Sequence, residues 1–541
     1  MHDRSSPIDG PIRPARTTGF NFIGLPRAAI MLLLPATLWV WLCWDWPTRL
    51  GFYSDDWMIL LHPFVGTAEA FRDIAHGVAT RPVSVPFIWL AQEIVDWSPA
   101  RSQILNAVML LVAAASVGML AAALSAGVRG LRDGAFFGAC VASSAFIVFP
   151  SNIGTFAWGV GVSTVIPALP LFCLAMSLLL HAGSSWWRLA AGLLMALLSH
   201  LSYEAFYFQE ITVLLISTAL RGSRITDIPW RAVIGSAVVS VGCLAFNRTT
   251  SDGVQKTFHW DFLQTFIAGY SRIPSILGHA VREYDLLIAT SVIITGLAGA
   301  ICLARFVGLW RVQIALLVTI CGVVASGFLY AFAGYGFAAE GPMARVGVIL
   351  ATYYSIGSGV LATAAWSATR WYRLPAFAFC LFAAIAFVAL GLTARSRVDE
   401  WADTWAYELS RLSRLPASII SNELPEDAGR RIYLAIEDKA QTFVEPATAP
   451  WEIAGAVAWK ASQTTNSRRL MVDTWHGSHT APYWFSAPGN WFNRWNGNSF
   501  EQGPCGSGGI TYSSPGAELW LWKTSTSELT RIEAPWEYGC K

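Results

Sequence analysis

Long apolar runs without charged residues recur along the first 395 residues of the chain. Crossing a hydrocarbon core of about 30 Å takes roughly 20 apolar residues in an α-helix, and these runs are long enough. The stretch from Gly134 to Leu180 also lacks charge, and Pro150 near its middle indicates a turn between two spans. With a first span at Ala28–Trp46, the pattern predicts about eleven transmembrane helices. Further runs lie at Ser102–Val128, Leu286–Ala304, Val312–Ala339, Val346–Thr369 and Leu374–Ala394.

Basic residues give an orientation, because Lys and Arg accumulate in cytoplasmic loops. Residues 1–27 contain Arg and Pro but no apolar core, so we interpret them as a cytoplasmic tail rather than a cleaved signal peptide. Residues 28–394 then form the transmembrane domain, and the first loop, 47–100, faces the other side with the C-terminus. Every second loop carries the basic residues that this orientation needs, at Arg129, Arg132, Arg188, Arg221, Arg224, Arg231, Arg305, Arg311, Arg370 and Arg373.

Composition changes beyond Arg395, where Trp, Ser, Gly, Asn and charged residues replace the apolar runs. Residues 395–541 are numerous enough for a separate, exported domain. Apolar residues at helical spacing between Val398 and Leu412 predict an amphipathic helix along the membrane surface. Arg431–Ile436 and Glu518–Lys523 alternate or run apolar, as strands do, so the rest of the tail is expected to be β-rich.

Overall composition is typical of a chain whose solvent is a bilayer, with 54% hydrophobic and only 13% charged residues. Seven of the nine cysteines lie in membrane runs, where they serve as small apolar residues. Cys505 and Cys540 alone fall in the exported tail, and a disulfide is expected there.

An acidic pair, Asp55 and Asp56, follows the first span within the segment Gly51–Trp57, which we call the acidic segment. Two adjacent acids at a membrane interface lose solvation, which favours a role in cation binding or proton transfer. The alternative is helix capping, with Ser54 or Asp55 at the N-cap of a helix that starts near Trp57 and the second acid in its first turn. Both can hold, with one acid capping and the other facing a cavity.

Arg81-Pro82 lies in the same predicted loop. The planar guanidinium of Arg suits a phosphate, whereas the alternative role is that of an interface anchor. Glu204 and Glu210 fall at the outer boundary of the fifth and sixth spans. Ionisable residues at that depth are functional candidates, or partners of an Arg on another helix.

Further charges in the outer loops could meet an anionic lipid head group, or could be solvated loop residues. These loop charges are Arg248, Lys256, His259, Glu340 and Arg345.

The tail holds two other candidate features. The spacing of Asp473, His476 and His479 resembles a metal site but lacks a second motif. Trp484, Trp491 and Trp495, set among Asn and Gly, resemble a sugar-stacking surface, although core packing explains any one tryptophan as well.

An acidic pair after the first span, then Arg81-Pro82-Val83-Ser84 and Asn106, resembles the GT-C superfamily of membrane glycosyltransferases. This superfamily includes protein O-mannosyltransferases and bacterial enzymes that use lipid-linked sugars. The turn Ser202-Tyr203-Glu204 is similar to a recurrent feature there, as is the plan of about eleven spans followed by an exported C-terminal domain.

The resemblance implies transfer of a sugar from a polyprenyl-phosphate carrier to an acceptor hydroxyl at the periplasmic face of a bacterial inner membrane. Asp55 or Asp56 would act as general base, with inversion at the anomeric carbon. Cationic side chains would neutralise the leaving phosphate. A divalent cation (Mg, Mn or Ca) is compatible with this chemistry but not required. The expected substrate-binding residues are Arg81, Tyr203, Glu204, Arg248, Lys256, His259, Glu340 and Arg345.

The expected partners are the lipid-linked donor, a glycan, lipid or protein acceptor and membrane lipids, with no nucleic acid. A transporter or flippase usually shows matched halves with broken helices, which this sequence lacks. A polysaccharide polymerase or ligase uses the same compartment and the same class of substrate. Such an enzyme would keep its activity after Asp55→Asn and Asp56→Asn.

Overall fold

The computed structural model describes most of the membrane part and the strands of the tail. The described residues are 25–53, 56–59, 74–75, 78–222, 227–250, 264, 267, 285–332, 347–369, 372–416, 431–436, 453, 455–457, 459–460, 463, 483–487, 491–506, 508–513 and 515–539.

Most of the described residues up to 413 are helical, and among them the 3₁₀ turns Arg132–Gly134 and Glu204–Phe206 lie between α-helices. The first eight helices are α1 Leu25–Cys43, α2 Trp46–Arg49, α3 Asp56–Ile59, α4 Ser84–Val95, α5 Pro99–Ala126, α6 Ala135–Ile147, α7 Ser151–Phe156 and α8 Gly159–Leu180. The next seven are α9 Trp186–His200, α10 Gln209–Arg221, α11 Trp230–Thr250, α12 Asp285–Val307, α13 Leu309–Phe332, α14 Val348–Ala368 and α15 Arg373–Ser413.

The protein is a multi-pass α-helical membrane protein. Among the described helices, seven (α5, α8 and α11 to α15) are long and apolar enough to cross a membrane. Helices α1, α6, α9 and α10 stand where further spans are predicted and have 19, 13, 15 and 13 residues. The total of eleven spans stays a prediction.

The uncharged stretch around Pro150 is broken as expected, but the break is longer than a turn. Helix α6 ends at Ile147, the short helix α7 follows, and α8 begins only at Gly159. The side-chain amide of Asn152 donates to the carbonyl of Phe146 at 2.6 Å and so ties the short helix to the end of α6.

Small residues let α6 and α14 pack closely. A Cβ at Gly138 would lie 2.4 Å from the carbonyl oxygen of Gly359, and one at Gly359 would lie 2.6 Å from that of Gly138. Glycine on both sides is therefore required at this crossing, as is common between membrane helices.

The surface helix predicted over Val398–Leu412 is instead the second half of α15. This helix has 41 residues, or about 62 Å at 1.5 Å per residue, twice the thickness of a hydrocarbon core. Trp401 and Trp405 are buried in this second half. The last span therefore continues as a rigid rod beyond the membrane rather than turning along its surface.

An ionic network joins the end of α1 to α15 where the apolar run ends. Arg395 makes a two-bond ion pair with Asp45, whose Oδ1 accepts from Nη1 at 2.7 Å. Arg49 donates to Asp45 at 3.3 Å and to Asp399 at 2.7 Å. The first and last predicted spans are thus tied together at one end.

The tail is β-rich, as predicted. Its strands are β1 Arg431–Ile436, β2 Tyr483–Ala487, β3 Trp491–Trp495, β4 Ser499–Pro504, β5 Ile510–Ser513, β6 Glu518–Lys523, β7 Glu528–Ile532 and β8 Trp536–Tyr538. One sheet has the order β2-β1-β6-β7, with β1 parallel to both β2 and β6, and the other is antiparallel with the order β5-β4-β3-β8. The two predicted strands, β1 and β6, pair with each other.

Cys505 is disulfide-bonded, as expected, and Cys540 lies outside the described residues. The seven cysteines of the membrane runs are free. Several tail tryptophans are core residues, since Trp401, Trp405, Trp459, Trp495 and Trp522 are all buried.

Candidate active site

Asp56 is fully buried and binds backbone N–H groups from two separate parts of the chain. Its Oδ2 accepts from the amide of Tyr53 at 3.2 Å and from the amide of Gly159, the first residue of α8, at 3.1 Å. A carboxylate at a helix N-terminus satisfies an otherwise unpaired donor and interacts favourably with the helix dipole. Asp56 is therefore the cap of a membrane helix as well as the first residue of α3.

Two side-chain amides of α5 bind backbone carbonyls close to Asp56 in the sequence or to the start of α8. The side-chain amide of Gln103 donates to the carbonyl of Gly51 at 2.6 Å and to that of Ala157 at 3.0 Å. Asn106, one of the residues that carry the resemblance to the GT-C superfamily, donates to the same Ala157 carbonyl at 3.5 Å. The start of the acidic segment and the start of α8 are thus fixed to one helix.

Aromatic residues of α15 cover the other side of the acidic segment. The hydroxyl of Tyr53 donates to the carbonyl of Trp401 at 2.9 Å, and the two rings meet edge to face at 4.5 Å. Gly51 lies so close to Trp405 that a Cβ there would stand 2.1 Å from the indole ring. Burial raises the pKa of the Tyr53 hydroxyl well above its ordinary range, so this group remains a neutral donor.

Arg81 forms a two-bond ion pair with Glu204. Nε donates to Oε2 at 2.9 Å and Nη2 to Oε1 at 2.6 Å, and the guanidinium lies 5.2 Å from the ring centre of Tyr203. Both charged side chains are mostly enclosed, with 22% and 21% of their surface exposed. Burial opposes the charge, but Glu204 and Tyr203 together raise the pKa of Arg81 above its usual value.

The Arg-Pro segment reaches this position because it docks on the turn between α9 and α10. The amide of Val83 donates to the carbonyl of Leu201 at 3.4 Å, and the hydroxyl of Ser84 donates to the carbonyl of Ser202 at 3.0 Å. The start of α4 and the turn carrying Glu204 therefore form one unit. The structure shows the second role considered for Glu204, that of an Arg partner, and its role as a site residue stays a prediction.

A second buried pair, His200 and Glu210, contacts the same turn. Nε2 of His200 lies 3.1 Å from both carboxylate oxygens of Glu210 and 3.1 Å from the carbonyl of Phe206, and neither side chain is exposed. Phe208 has a φ of +65°, a strained value for a residue with a side chain. The sequence indicated Glu210 as a candidate, but it did not show that His200 would be its partner, because their spacing does not determine how the turn folds.

The other expected site residues are distributed differently. Arg248 is exposed in the last turn of α11, next to Asn247, whose amide donates to the hydroxyl of Tyr207 at 3.4 Å. Over the part of the chain that the structure describes, no three His, Cys, Asp or Glu side chains form a group able to hold a metal ion. Asp55, Lys256, His259, Glu340 and Arg345 lie outside the described residues, as do Asp473, His476 and His479.

An apolar groove of about 460 Å³ opens between α1, α6 and α15. The end of the groove nearest the ionic network, which we call its upper end, lies at Gly391 and Leu392 of α15, about one helical turn before Arg395. A groove of this composition suits a hydrocarbon chain rather than a polar ligand. Its lining includes Leu34, Leu38, Phe137, Val141, Phe379 and Phe387.

A scan of protein families finds no match for the chain, and a search of curated proteins finds none either. Among solved structures, the chain is similar to the oligosaccharyltransferase of Archaeoglobus fulgidus in complex with Zn and sulfate, at 14% identity and a TM-score of 0.39 over 80% of this chain and 61% of the other. It is also similar to ArnT from Cupriavidus metallidurans bound to undecaprenyl phosphate, at 10% identity and a TM-score of 0.38 over 85% and 90% of the two chains.

The GT-C superfamily stays a resemblance indicated by the first predicted loop. The chain spans 61% of the length of the oligosaccharyltransferase. At TM-scores of 0.39 and 0.38 the likeness assigns no activity, which depends instead on the side chains described above.

Proposed function

We propose that this protein is an inverting glycosyltransferase of the GT-C type that moves a sugar from a polyprenyl-phosphate carrier to an acceptor hydroxyl at the periplasmic face of the inner membrane. The observation that carries the proposal is the commitment of Asp56 to two backbone donors, Tyr53 and Gly159. A buried carboxylate used in this way anchors a loop rather than transferring protons. We therefore assign the role of general base to its neighbour Asp55.

In this mechanism the acceptor oxygen attacks the anomeric carbon as the Asp55 carboxylate takes its proton. The new bond joins the acceptor oxygen to the anomeric carbon, and the bond from that carbon to the phosphate oxygen breaks. The electron pair leaves with the polyprenyl phosphate. One displacement from the opposite face inverts the configuration of the sugar.

Arg81 is proposed to stabilise the charge that develops on the departing phosphate. Glu204 fixes the guanidinium through Nε and Nη2, so its orientation is set before substrate arrives. The pair has no net charge, so further cations are needed to balance a phosphate. Arg248, Lys256 and Arg345 are the proposed sources of that charge.

The apolar groove between α1, α6 and α15 is the proposed seat of the polyprenyl chain. Its upper end lies below the ionic network of Asp45 and Arg395, and α15 continues from there to Trp401 and Trp405 beside the acidic segment. A chain in this groove would place its phosphate on the same side of the membrane as the acids.

The test uses purified protein in lipid nanodiscs with undecaprenyl-phosphate glucose and undecaprenyl-phosphate mannose as donor probes. Release of undecaprenyl phosphate, with or without added glycan, lipid or peptide acceptors, is measured by mass spectrometry. We expect Asp55→Asn to lower the rate by about a hundredfold or more, as removal of a general base does. Binding of undecaprenyl phosphate itself should persist in this variant and weaken in Arg81→Ala.

Unaltered transfer by Asp55→Asn would remove the proposed base and favour a polymerase or ligase. The matched control is Asp96→Asn, an exposed acid elsewhere in the predicted first loop, whose side chain is 51% exposed beside Arg101. This control should leave transfer unchanged.

A further inference from the structure

A short part of the tail packs against the acidic segment, far from it in sequence. We call Ile453, Gly455–Val457, Trp459 and Lys460 the return segment, and all but Lys460 are buried. The buried apolar residues of this segment belong to the same core as Leu42, Trp46 and Tyr53 of the membrane part. Tyr433, Ala435 and Trp522 of the first sheet belong to that core as well.

Trp57, the residue after Asp56, is held between two tryptophans from different parts of the chain. Its ring stacks on Trp405 of α15 at 5.8 Å and meets Trp459 of the return segment edge to face at 5.8 Å. Trp405 and Trp459 also contact each other, at 5.7 Å. Trp57 is only 1% exposed, so this aromatic cluster fixes it on every side.

Gly455 brings the backbone of the return segment directly onto Trp57. A Cβ at Gly455 would lie 2.2 Å from the carbonyl oxygen of Trp57 and 2.7 Å from its carbonyl carbon. Both of these atoms are backbone, so no rotation of a side chain could relieve the clash. Only glycine allows this approach.

Trp459 also reaches the corner between α4 and α5. Its indole N–H donates to the carbonyl of Trp97 at 3.1 Å, across 362 positions of sequence. Asp96 and Trp97 have φ values of +42° and +62°, which are unfavourable for residues with side chains. The return segment therefore supports a strained corner together with the acidic segment.

We propose that the return segment is a clamp that holds Asp56 and Trp57, the two residues that follow the proposed base in the chain, so that Gly455 and Trp459 are positioning residues for the reaction. The clamp acts on one side of Asp56, whereas the amides of Tyr53 and Gly159 hold the other. Misplacement of a reacting group by about 1 Å can cost a hundredfold in rate. The catalytic half of this proposal rests on the proposed function, and the structural half does not.

The experiment uses the full chain in nanodiscs and compares Trp459→Ala, Trp459→Phe and Trp495→Ala. Trp495 is the matched control, because it is 3% exposed in the core between the two sheets and belongs to a different cluster. Hydrogen exchange reports on the peptide covering 51–59, and release of undecaprenyl phosphate from its glucose derivative gives kcat and KM.

We expect Trp459→Ala to speed exchange in 51–59 by about tenfold and to lower kcat by about tenfold to a hundredfold, with KM for the donor changed by less than about threefold. Trp459→Phe keeps an aromatic ring and should recover most of both losses. Trp495→Ala should change exchange only in the strands of the tail. Gly455→Ala, which pushes on Trp57 without removing a ring, should reproduce the effect of Trp459→Ala.

Unchanged exchange in 51–59 for both Trp459→Ala and Gly455→Ala overturns the clamp. Equal loss of kcat in Trp495→Ala overturns it too, because the tail would then act only through overall stability. If Asp55→Asn leaves transfer intact, the proposed function fails, and exchange in 51–59 still decides whether the return segment holds this loop.

Discussion

Replacing Asp56 by Asn tests whether this buried acid is a cap or a base. Its Oδ2 accepts two backbone N–H groups at 3.2 and 3.1 Å. Asn retains an oxygen that can accept both, but it loses the charge. A hydrogen bond to a charged group is worth about 1 kcal/mol more than a neutral one, and a carboxylate at a helix N-terminus adds about 0.3–2 kcal/mol.

Relief of the buried charge offsets part of this loss. We therefore expect Asp56→Asn to lower the free energy of unfolding by about 1–3 kcal/mol. Asp56→Ala leaves two buried donors without their acceptor and should cost about 2–6 kcal/mol. A free energy of unfolding that falls in the order wild type, Asp56→Asn, Asp56→Ala is therefore expected if Asp56 is a cap.

The assay is denaturant unfolding of the purified protein in mild detergent, followed by circular dichroism, with donor cleavage measured on the same samples. Asp399→Asn is the control, because its side chain is 48% exposed and its pair with Arg49 should contribute less than about 1 kcal/mol. At a temperature where it stays folded, Asp56→Asn should keep transfer within about tenfold of wild type. Wild-type stability with lost transfer would refute the capping argument and make Asp56 the base.

Three other contacts give direct tests. Glu204→Gln leaves Arg81 enclosed without a charged partner and should cost about 1–3 kcal/mol of unfolding free energy, and Arg81→Lys should be equally destabilising because Lys cannot form both bonds; stability equal to wild type in both would show that the pair is dispensable. Asp45→Asn and Arg395→Gln should each cost about 3 kcal/mol in the same unfolding assay, and the double substitution should cost clearly less than the sum, a coupling that an independent pair of effects would not show. Cys505→Ser should lower tail stability by about 2–4 kcal/mol, measured by hydrogen exchange of the tail strands, and peptide mapping of the wild type should release the Cys505 peptide only after reduction.

The membrane helices and two strands were predictable because their signals are local. A bilayer forces about 20 consecutive apolar residues into a helix, so the runs in the sequence correspond to helices such as α5 and α14. Arg431–Ile436 and Glu518–Lys523 are strands with the predicted bounds, since β-branched and aromatic residues there lie between turn signals. The sequence did not reveal that these two strands are neighbours.

The continuity of α15 was missed for a different reason. The apolar run ends before Arg395, and this passage from bilayer to water was interpreted as the end of one helix and the start of another. No Gly or Pro stands between Leu392 and Leu415, while Pro416 follows three residues after the helix ends at Ser413. These are the ordinary signals of one uninterrupted helix with a stop beyond it.

Side-chain partners at the candidate site could not be predicted, because they join distant parts of the chain. Arg81 and Glu204 are 123 positions apart, and either could have paired with another charge in a different fold. The partner of Asp56 on α8 is a backbone amide, which has no signature in the sequence at all. The acidic pair could be recognised as two acids at an interface, but not divided between a cap and a base.

Helix α15 connects the ionic network to the residues that flank the acidic pair. Arg395 ties it to Asp45 where the apolar run ends, and Trp405, ten residues further along, contacts Gly51 and Trp57. Ten residues of helix measure about 15 Å, so Trp405 and the Gly51 and Trp57 that it contacts lie about that far along α15 from the ionic network. A helix that ended at Arg395 would leave this distance to a flexible linker. Its continuation instead fixes the spacing between the ionic network and this part of the acidic segment through a single element.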